Sequence, residues 1–202
     1  MFTGIVQAVG KIVSTDISHT TPQRNLSLRL EPGNLDLSDI NLGDSIAVDG
    51  VCLTVKSLAD RQLHFDVSEE TRLCTHGLDK INKPVNLEKA LRLSDRLGGH
   101  LVSGHIDAIG TVVKWEPAGE NATLEIDAPS AILRYLTHKG SITVDGVSLT
   151  INQIIGNTFS VNLIPHTIAV TTLGQLQVGS LVNLESDMLA RYVARLLNIG
   201  EC

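Results

Sequence analysis

Aromatic residues are scarce in this chain: three Phe, two Tyr and one Trp make up 3% of 202 residues. Stacking platforms for single-stranded nucleic acid are therefore not expected. Blocks of basic residues are also missing. Sixteen Lys and Arg stand against 22 Asp and Glu, for a net charge of −6, which argues against nucleic acid or an anionic membrane as partner. No apolar run approaches the length of a membrane span. The opening "MFTGIVQAVG" lacks the basic and apolar regions of a signal peptide and reads as mature structure. Three cysteines (Cys52, Cys74, Cys202) make an odd set without a CxxC. Free thiols in a reducing cytoplasm are expected.

What the chain does have is a repeat. "VDGVCLTV" at 48–55 returns as "VDGVSLTI" at 144–151, with Cys52 exchanged for Ser148 and Val55 for Ile151. "TGIVQAVGKIVS" (3–14) matches "SGHIDAIGTVVK" (103–114). "FDVSEETR" (65–72) aligns with "VNLIPHTI" (161–168), and "PVNLEKAL" (84–91) with "LVNLESDM" (181–188). The offset slips from 100 to 96 between the first and second blocks, and this length change belongs in a surface loop. Solenoid units are shorter and more numerous, so two copies of this length mean two domains of one fold. The boundary is expected near "RLGGH" (96–100), where Gly98 and Gly99 allow a turn.

Each copy reads as β. "GIVQAVGKIVS", "LSLRL", "SIAVDG", "CLTVKSL" and "LHFDVS" are short, rich in branched residues and bounded by Gly, Asp, Asn or Pro. "HIDAIGTVVK", "ATLEIDA", "SITVDG", "SLTINQI" and "TFSVNLI" repeat the pattern. Asp-Gly between apolar runs is a tight hairpin signal, and many short strands favour closure into a small barrel. Two helices are expected. One lies in "PSAILRYLTHKG" (129–140), with Ser130 as N-cap and Gly140 past its end. The other lies in "SDMLARYVARLLNIG" (186–200), where Leu189, Tyr192, Val193, Leu196 and Leu197 form a stripe and Asp187 and Arg191 stand at i,i+4. That stripe is expected to pack against a neighbouring subunit in preference to its own barrel.

"MFTGIV", "GVCLTV", "GGHLVSGHID", "VDGVSLT" and "NLIPHT", in this order and at the repeat spacing, resemble the riboflavin synthase family over essentially the whole chain. The resemblance implies an all-β fold: two tandem six-stranded Greek-key barrels related by duplication, with a C-terminal helix. The divisions are then a lumazine-binding barrel over 1–100, a second over 101–186, and an oligomerisation helix and tail over 187–202. It further implies dismutation of two 6,7-dimethyl-8-ribityllumazine molecules to riboflavin and a ribitylamino-pyrimidinedione, without metal or organic cofactor. The implied assembly is a homotrimer whose site pairs the N-barrel of one subunit with the C-barrel of another. An association with lumazine synthase is left open. A site of two copies suits a reaction that uses one molecule twice, because holding both replaces a bimolecular encounter with a positioned one.

Each candidate residue also has a plainer role. A small buried Cys is commonly packing and a Ser beside a turn commonly bonds backbone; the resemblance makes Cys52 and Ser148 ligand-contacting and catalytic positions. A thiolate adds to an electrophilic carbon only where its pKa is lowered. Thr54 and Thr150 share a strand face with Cys52 and Ser148. His100 and His105 stand at i,i+5 without a third ligand at metal spacing, and a surface position is the default for a lone His. His105 matches the family's motif histidine and has the pKa for proton transfer. Catalytic positions implied by the resemblance are His105, Cys52, Ser148, Ser45, Asp145 and Asp187. Asp49 and Asp145 also suit the turn, and Asp187 a helix start. Implied substrate contacts are Gly4, Ile5 and Val6; Cys52, Leu53 and Thr54; Asp66, Val67, Ser68, Glu69, Glu70 and Thr71; Gly104, His105 and Ile106; Lys139; Ser148, Leu149 and Thr150; and Asn162, Leu163, Ile164, Pro165, His166 and Thr167. At His166 the family more often carries Glu. The rival function is a non-catalytic antenna protein that binds lumazine or flavin on the same fold; the intact "GGHLVSGHID" favours the enzyme.

Overall fold

The computed structural model describes residues 1–17 and 24–197; Cys202 and the end of the expected terminal helix lie outside them. Twelve strands form two closed antiparallel barrels. The first contains β1 (Ala8–Ile17), β2 (Leu26–Glu31), β3 (Ser45–Val48), β4 (Val51–Ala59), β5 (Gln62–Val67) and β6 (Pro84–Lys89), in the order β1-β2-β5-β4-β3-β6. The second contains β7 (Ala108–Ala118), β8 (Asn121–Asp127), β9 (Ser141–Val144), β10 (Val147–Ile155), β11 (Thr158–Leu163) and β12 (Leu181–Ser186), in the corresponding order. Period-two patterning sets the faces. Leu26, Leu28 and Leu30 of β2 and Leu63, Phe65 and Val67 of β5 fill the first core, while Leu124, Ile126, Phe159 and Val161 fill the second. Register shifts at matched places, between Ile12 and Ser14 and between Val112 and Lys114, bend the first strand of each barrel toward closure. The four-residue slip falls between the first two strands of each copy: residues 18–25 join β1 to β2, and only Gly119 and Glu120 join β7 to β8.

The helices differ from expectation. α1 (Glu69–Cys74) and α3 (Pro165–Val170) follow the fifth strand of each barrel, where the sequence reading placed only ligand-contacting stretches. α2 is reduced to Ser130–Leu133, with Pro129 and not Ser130 at its N-cap; His138, Lys139 and Gly140 follow in a turn, with Lys139 at φ +65°. α4 (Met188–Leu196) starts at Asp187, whose carboxylate accepts from the Leu189 amide at 3.0 Å. Arg191 pairs with Asp107 at 2.8 Å and not with Asp187. Leu189, Tyr192, Val193, Leu196 and Leu197 are all exposed, so the helix's own barrel leaves its apolar stripe uncovered.

The barrels meet at the two Asp-Gly turns. Asp49 and Gly50 (φ +46° and +82°) and Asp145 and Gly146 (φ +45° and +78°) form tight hairpins with both central residues left-handed. A Cβ on Gly146 would lie 2.7 Å from the Gly50 amide nitrogen, and one on Gly50 would lie 2.8 Å from that of Gly146. Asn86 Nδ2 donates to Asp145 O at 2.9 Å, and Asn183 Nδ2 to Asp49 O at 3.2 Å, so each barrel's last strand caps the other's turn. Gly146→Ala is expected to cost at least about 1–2 kcal/mol from left-handed strain alone, with the inter-barrel collision added, as a lower midpoint in urea unfolding.

Candidate functional site

The outermost segments of the two copies change barrels. Both sequence readings that began a strand at Gly4 or His105 are corrected: β1 starts at Ala8 and β7 at Ala108. The residues before them form leaders, which pair with each other at a Phe2–Val102 bridge. Glu88 on β6 accepts from Thr3 N (2.7 Å), Thr3 Oγ1 (2.7 Å) and Gly4 N (2.9 Å). Glu185 on β12 accepts from Ser103 N (2.7 Å), Ser103 Oγ (2.6 Å) and Gly104 N (2.9 Å). Burial pushes both carboxyls up, and these hydrogen bonds oppose the shift. Both oxygens of each accept, an arrangement that favours the ionised form.

From these clamps each leader crosses to the other barrel. Ser148 N donates to Gly4 O at 2.7 Å, and Cys52 N donates to Gly104 O at 2.8 Å. A Cβ on Gly4 would lie 2.6 Å from Ser148 Cβ, and one on Gly104 would lie 2.6 Å from Cys52 Cβ. Val6 packs on the second core and Ile106 on the first.

The candidate residues fall into two matched groups on the outer faces of the barrels. On the first, Cys52 and Thr54 of β4 and Asp66 of β5 point away from the core, Ser68 to Thr71 open α1, and Gly104 of the second copy lies against Cys52. Ser45 is the cross-strand neighbour of Thr54. On the second, Ser148 and Thr150 of β10 and Asn162 of β11 point away from the core, Ile164 to Thr167 open α3, and Gly4 of the first copy lies against Ser148. Lys139 stands beside it, its amide donating to Ile151 O at 2.8 Å. Leu53, Val67, Leu149 and Leu163 point into the cores, so only their backbone faces a pocket. Ser68 caps α1 through the Thr71 amide at 3.1 Å, and α3 has no side-chain cap. The leader residue after the glycine is His105 on the Cys52 side and Ile5 on the Ser148 side.

Asp145 belongs to neither pocket. It is 4% exposed, accepts from Asn183 N at 2.8 Å, and lines a cleft of about 450 Å³ between the barrels with His76, Lys80 and Lys83. Lys83 Nζ pairs with Asp49 at 2.7 Å. Burial, then the charge of Asp49, pushes Asp145 up to about 8. Burial also pushes Asp49 up, but Lys83 pulls against it; the single amine goes to Asp49 and the proton to Asp145.

His100, by default a surface residue, is 8% exposed, with Nδ1 2.8 Å from Ser148 Oγ. Its Nε2 is buried without a partner, as is Thr143 Oγ1. Leaving such an atom unpaired costs about 1–3 kcal/mol. Burial holds the His100 pKa down, with the charge of Asp187 opposing. Glu88, Glu185, Asn86 and Asn183, outside the candidate residues, carry a signal of their own: "VNLE" puts a charge inside a strand in both copies. Among the described residues, no group of three or more His, Cys, Asp or Glu is placed to hold a metal ion, and no helix is long and apolar enough to cross a membrane.

The comparisons with known proteins agree with this architecture. The lumazine binding domain family matches twice, at 3–90 and 103–187. Riboflavin synthase from Photobacterium phosphoreum is 44% identical over 100% of this chain and 91% of its own. That from Mycobacterium tuberculosis (strain ATCC 25618 / H37Rv) is 43% identical over 98% of each. A crystal structure of LumP complexed with 6,7-dimethyl-8-(1'-D-ribityl) lumazine superposes with a TM-score of 0.81 at 25% identity, covering 92% of this chain and 99% of that one. A LumP complex with riboflavin shares the fold, with a TM-score of 0.83 at 24% identity. The class is that of paired lumazine-binding barrels, and the chain belongs to the riboflavin synthase family and is an enzyme.

The Asp145 carboxyl makes a pH prediction. Its folded pKa lies above its unfolded value of 3.8. Its contribution to stability is thus full below about 4 and is lost as pH rises to about 8. Asp145→Asn keeps an acceptor for the Asn183 amide and tolerates positive φ. The variant is expected to gain on wild type progressively over that window, as urea midpoints at pH 5 and pH 8.5 will show.

Proposed function

We propose that the protein catalyses the dismutation of 6,7-dimethyl-8-ribityllumazine: one molecule gives a four-carbon unit to a second, yielding riboflavin and 5-amino-6-ribitylamino-pyrimidinedione. The observation that carries this reading is the pair of pockets built on one plan yet walled differently, Cys52 with His105 in one and Ser148 with Ile5 in the other. Two identical molecules in unlike pockets take different parts in a reaction, one as donor and one as acceptor. Positioning supplies much of the rate, since it removes the cost of bringing two reactants together.

The productive site forms between the N-barrel of one subunit and the C-barrel of the next in a homotrimer held by α4. The exposed stripe from Leu189 to Leu197 supports this assembly, and the Asp107–Arg191 pair ties the root of α4 to the residue before β7. The substrate's C7 methyl is acidic, so the protein's share is to position it and stabilise the anion, with His105, Ser148 and Cys52 as the groups at hand. No added cofactor takes part, and the cytoplasm is the compartment where Cys52 and Cys74 stay reduced.

Purified protein mixed with 6,7-dimethyl-8-ribityllumazine alone is expected to develop flavin absorption and release one riboflavin for every two lumazines consumed. Tight binding of lumazine without product would replace this reading with that of a light-absorbing carrier.

A further inference from the structure

Beneath the leaders, the strand positions around Cys52 and Ser148 diverge in one direction. Around Cys52 stand Phe2, Ala47, Val102 and Ala90, an apolar cluster. The repeat pairs Cys52 with Ser148, Ala47 with Thr143 and Ala90 with Asp187, so these three neighbouring positions become polar in the second copy. The linker then adds a fourth polar group, His100, whose amide donates to Thr3 O at 3.1 Å and whose Nδ1 reaches Ser148 Oγ at 2.8 Å. Gly99 permits that approach. A Cβ there would stand 2.2 Å from Thr3 O and 2.9 Å from Ser148 Oγ. Thr143 lies directly across the ladder from Ser148. Among the described residues three buried side-chain atoms lack a hydrogen-bond partner, and two of them, His100 Nε2 and Thr143 Oγ1, belong to the residue bonded to Ser148 and the residue across the ladder from it. Two such atoms beside one hydroxyl point to a ligand with polar edges on this side of the site.

We infer that His100 and Ser148 form the acid–base pair of the C-terminal pocket: the Ser148 hydroxyl donates to Nδ1, while Nε2–H and the Thr143 hydroxyl face carbonyl oxygens or ring nitrogens of the heterocycle bound there. His100 is a positioning residue that sets the direction of the Ser148 proton, leaving the oxygen's lone pairs toward the ligand. This rests on the lumazine reading of the site and deepens it, because it assigns proton handling to the C-terminal pocket and an apolar wall to the Cys52 pocket. The imidazole suits the role. Burial keeps it neutral at neutral pH, with one nitrogen to accept and one to donate. The charge acting on it is that of Asp187 at the head of α4, which opposes the burial effect; Glu88 on β6 holds Thr3, whose carbonyl accepts from the His100 amide. As pH falls through the lowered pKa, Nδ1 takes a proton and stops accepting, so the pair is lost in acid and intact above.

Nitrogen-15 NMR of the histidine rings tests the pair without needing turnover. At neutral pH His100 is expected to show an unprotonated Nδ1 and a protonated Nε2. Ser148→Ala should shift the Nδ1 signal, and riboflavin should shift Nε2. In turnover, His100→Ala is expected to lower kcat by about a hundredfold. His100→Asn, whose amide reaches the place of Nδ1, is expected to restore most of that loss and to remove the acid limb of the kcat profile. An Nδ1 signal indifferent to Ser148→Ala would overturn the pair, as would wild-type kcat with an unchanged acid limb in His100→Ala. If the variants at 100 fail to fold, the Ser148→Ala spectrum decides, since it leaves His100 in place. Ring shifts as expected in a protein with no turnover would uphold the pair and refute the dismutation; turnover with no shift would do the reverse.

Discussion

The site depends on one pair of hydrogen bonds, from the Ser148 amide to the Gly4 carbonyl and from the Cys52 amide to the Gly104 carbonyl. Each bond attaches a leader of one copy to the fourth strand of the other copy's barrel. The close approach is possible only because both leader residues are glycines. Glu88 and Glu185 supply the other half of the constraint, gripping each leader from its own barrel. A leader held from both barrels at one glycine is fixed in position there, which is what a site needs if its walls are to stay within a fraction of an ångström. Residues 1–6 reach the second barrel at Ser148, and residues 101–106 reach the first at Cys52.

The same exchange carries the asymmetry. Duplication would make the two pockets alike, but the leaders bring Ile5 to one and His105 to the other, and the strands bring Ser148 and Cys52. Polar groups then collect on the Ser148 side, including a histidine from the linker. The Asp145–Asp49–Lys83 cluster lies apart, in the seam between the barrels. It has one amine for two buried carboxyls and so titrates as part of the inter-barrel contact.

Much of this was legible in the sequence. Period-two strands, the doubled Asp-Gly turns and the offset of 96 lead to two six-stranded barrels, and the terminal stripe marks the face of α4 that stays exposed among the described residues. The crossing of the leaders was not legible. Gly4 and His105 continue an apolar alternation that reads as strand, and nothing local states that Glu88 and Glu185, over 80 residues away, pull them out of it. His100 was hidden for the same reason: a histidine after two glycines reads as linker until the fold lays Gly99 on Ser148. Asp145 was placed by resemblance near the chemistry, where local reasoning about the turn gives its structural position better. Helix α2 ends at Leu133, and the chain goes on through turns, with Tyr135 N donating to Ile132 O and Gly140 N to Thr137 O.

The central claim is that one chain carries two ligand pockets, each finished by the other copy's leader. Equilibrium titration with riboflavin, followed by its fluorescence, tests this most directly when wild type is set beside Gly4→Ala. Residue 4 sits at φ +76° with Ser148 2.6 Å from any added Cβ, so the substitution displaces the leader from the C-terminal pocket only. The account predicts two riboflavins per wild-type chain, of unequal affinity, and one per Gly4→Ala chain. A single site in wild type, or two sites undisturbed by the substitution, would contradict it.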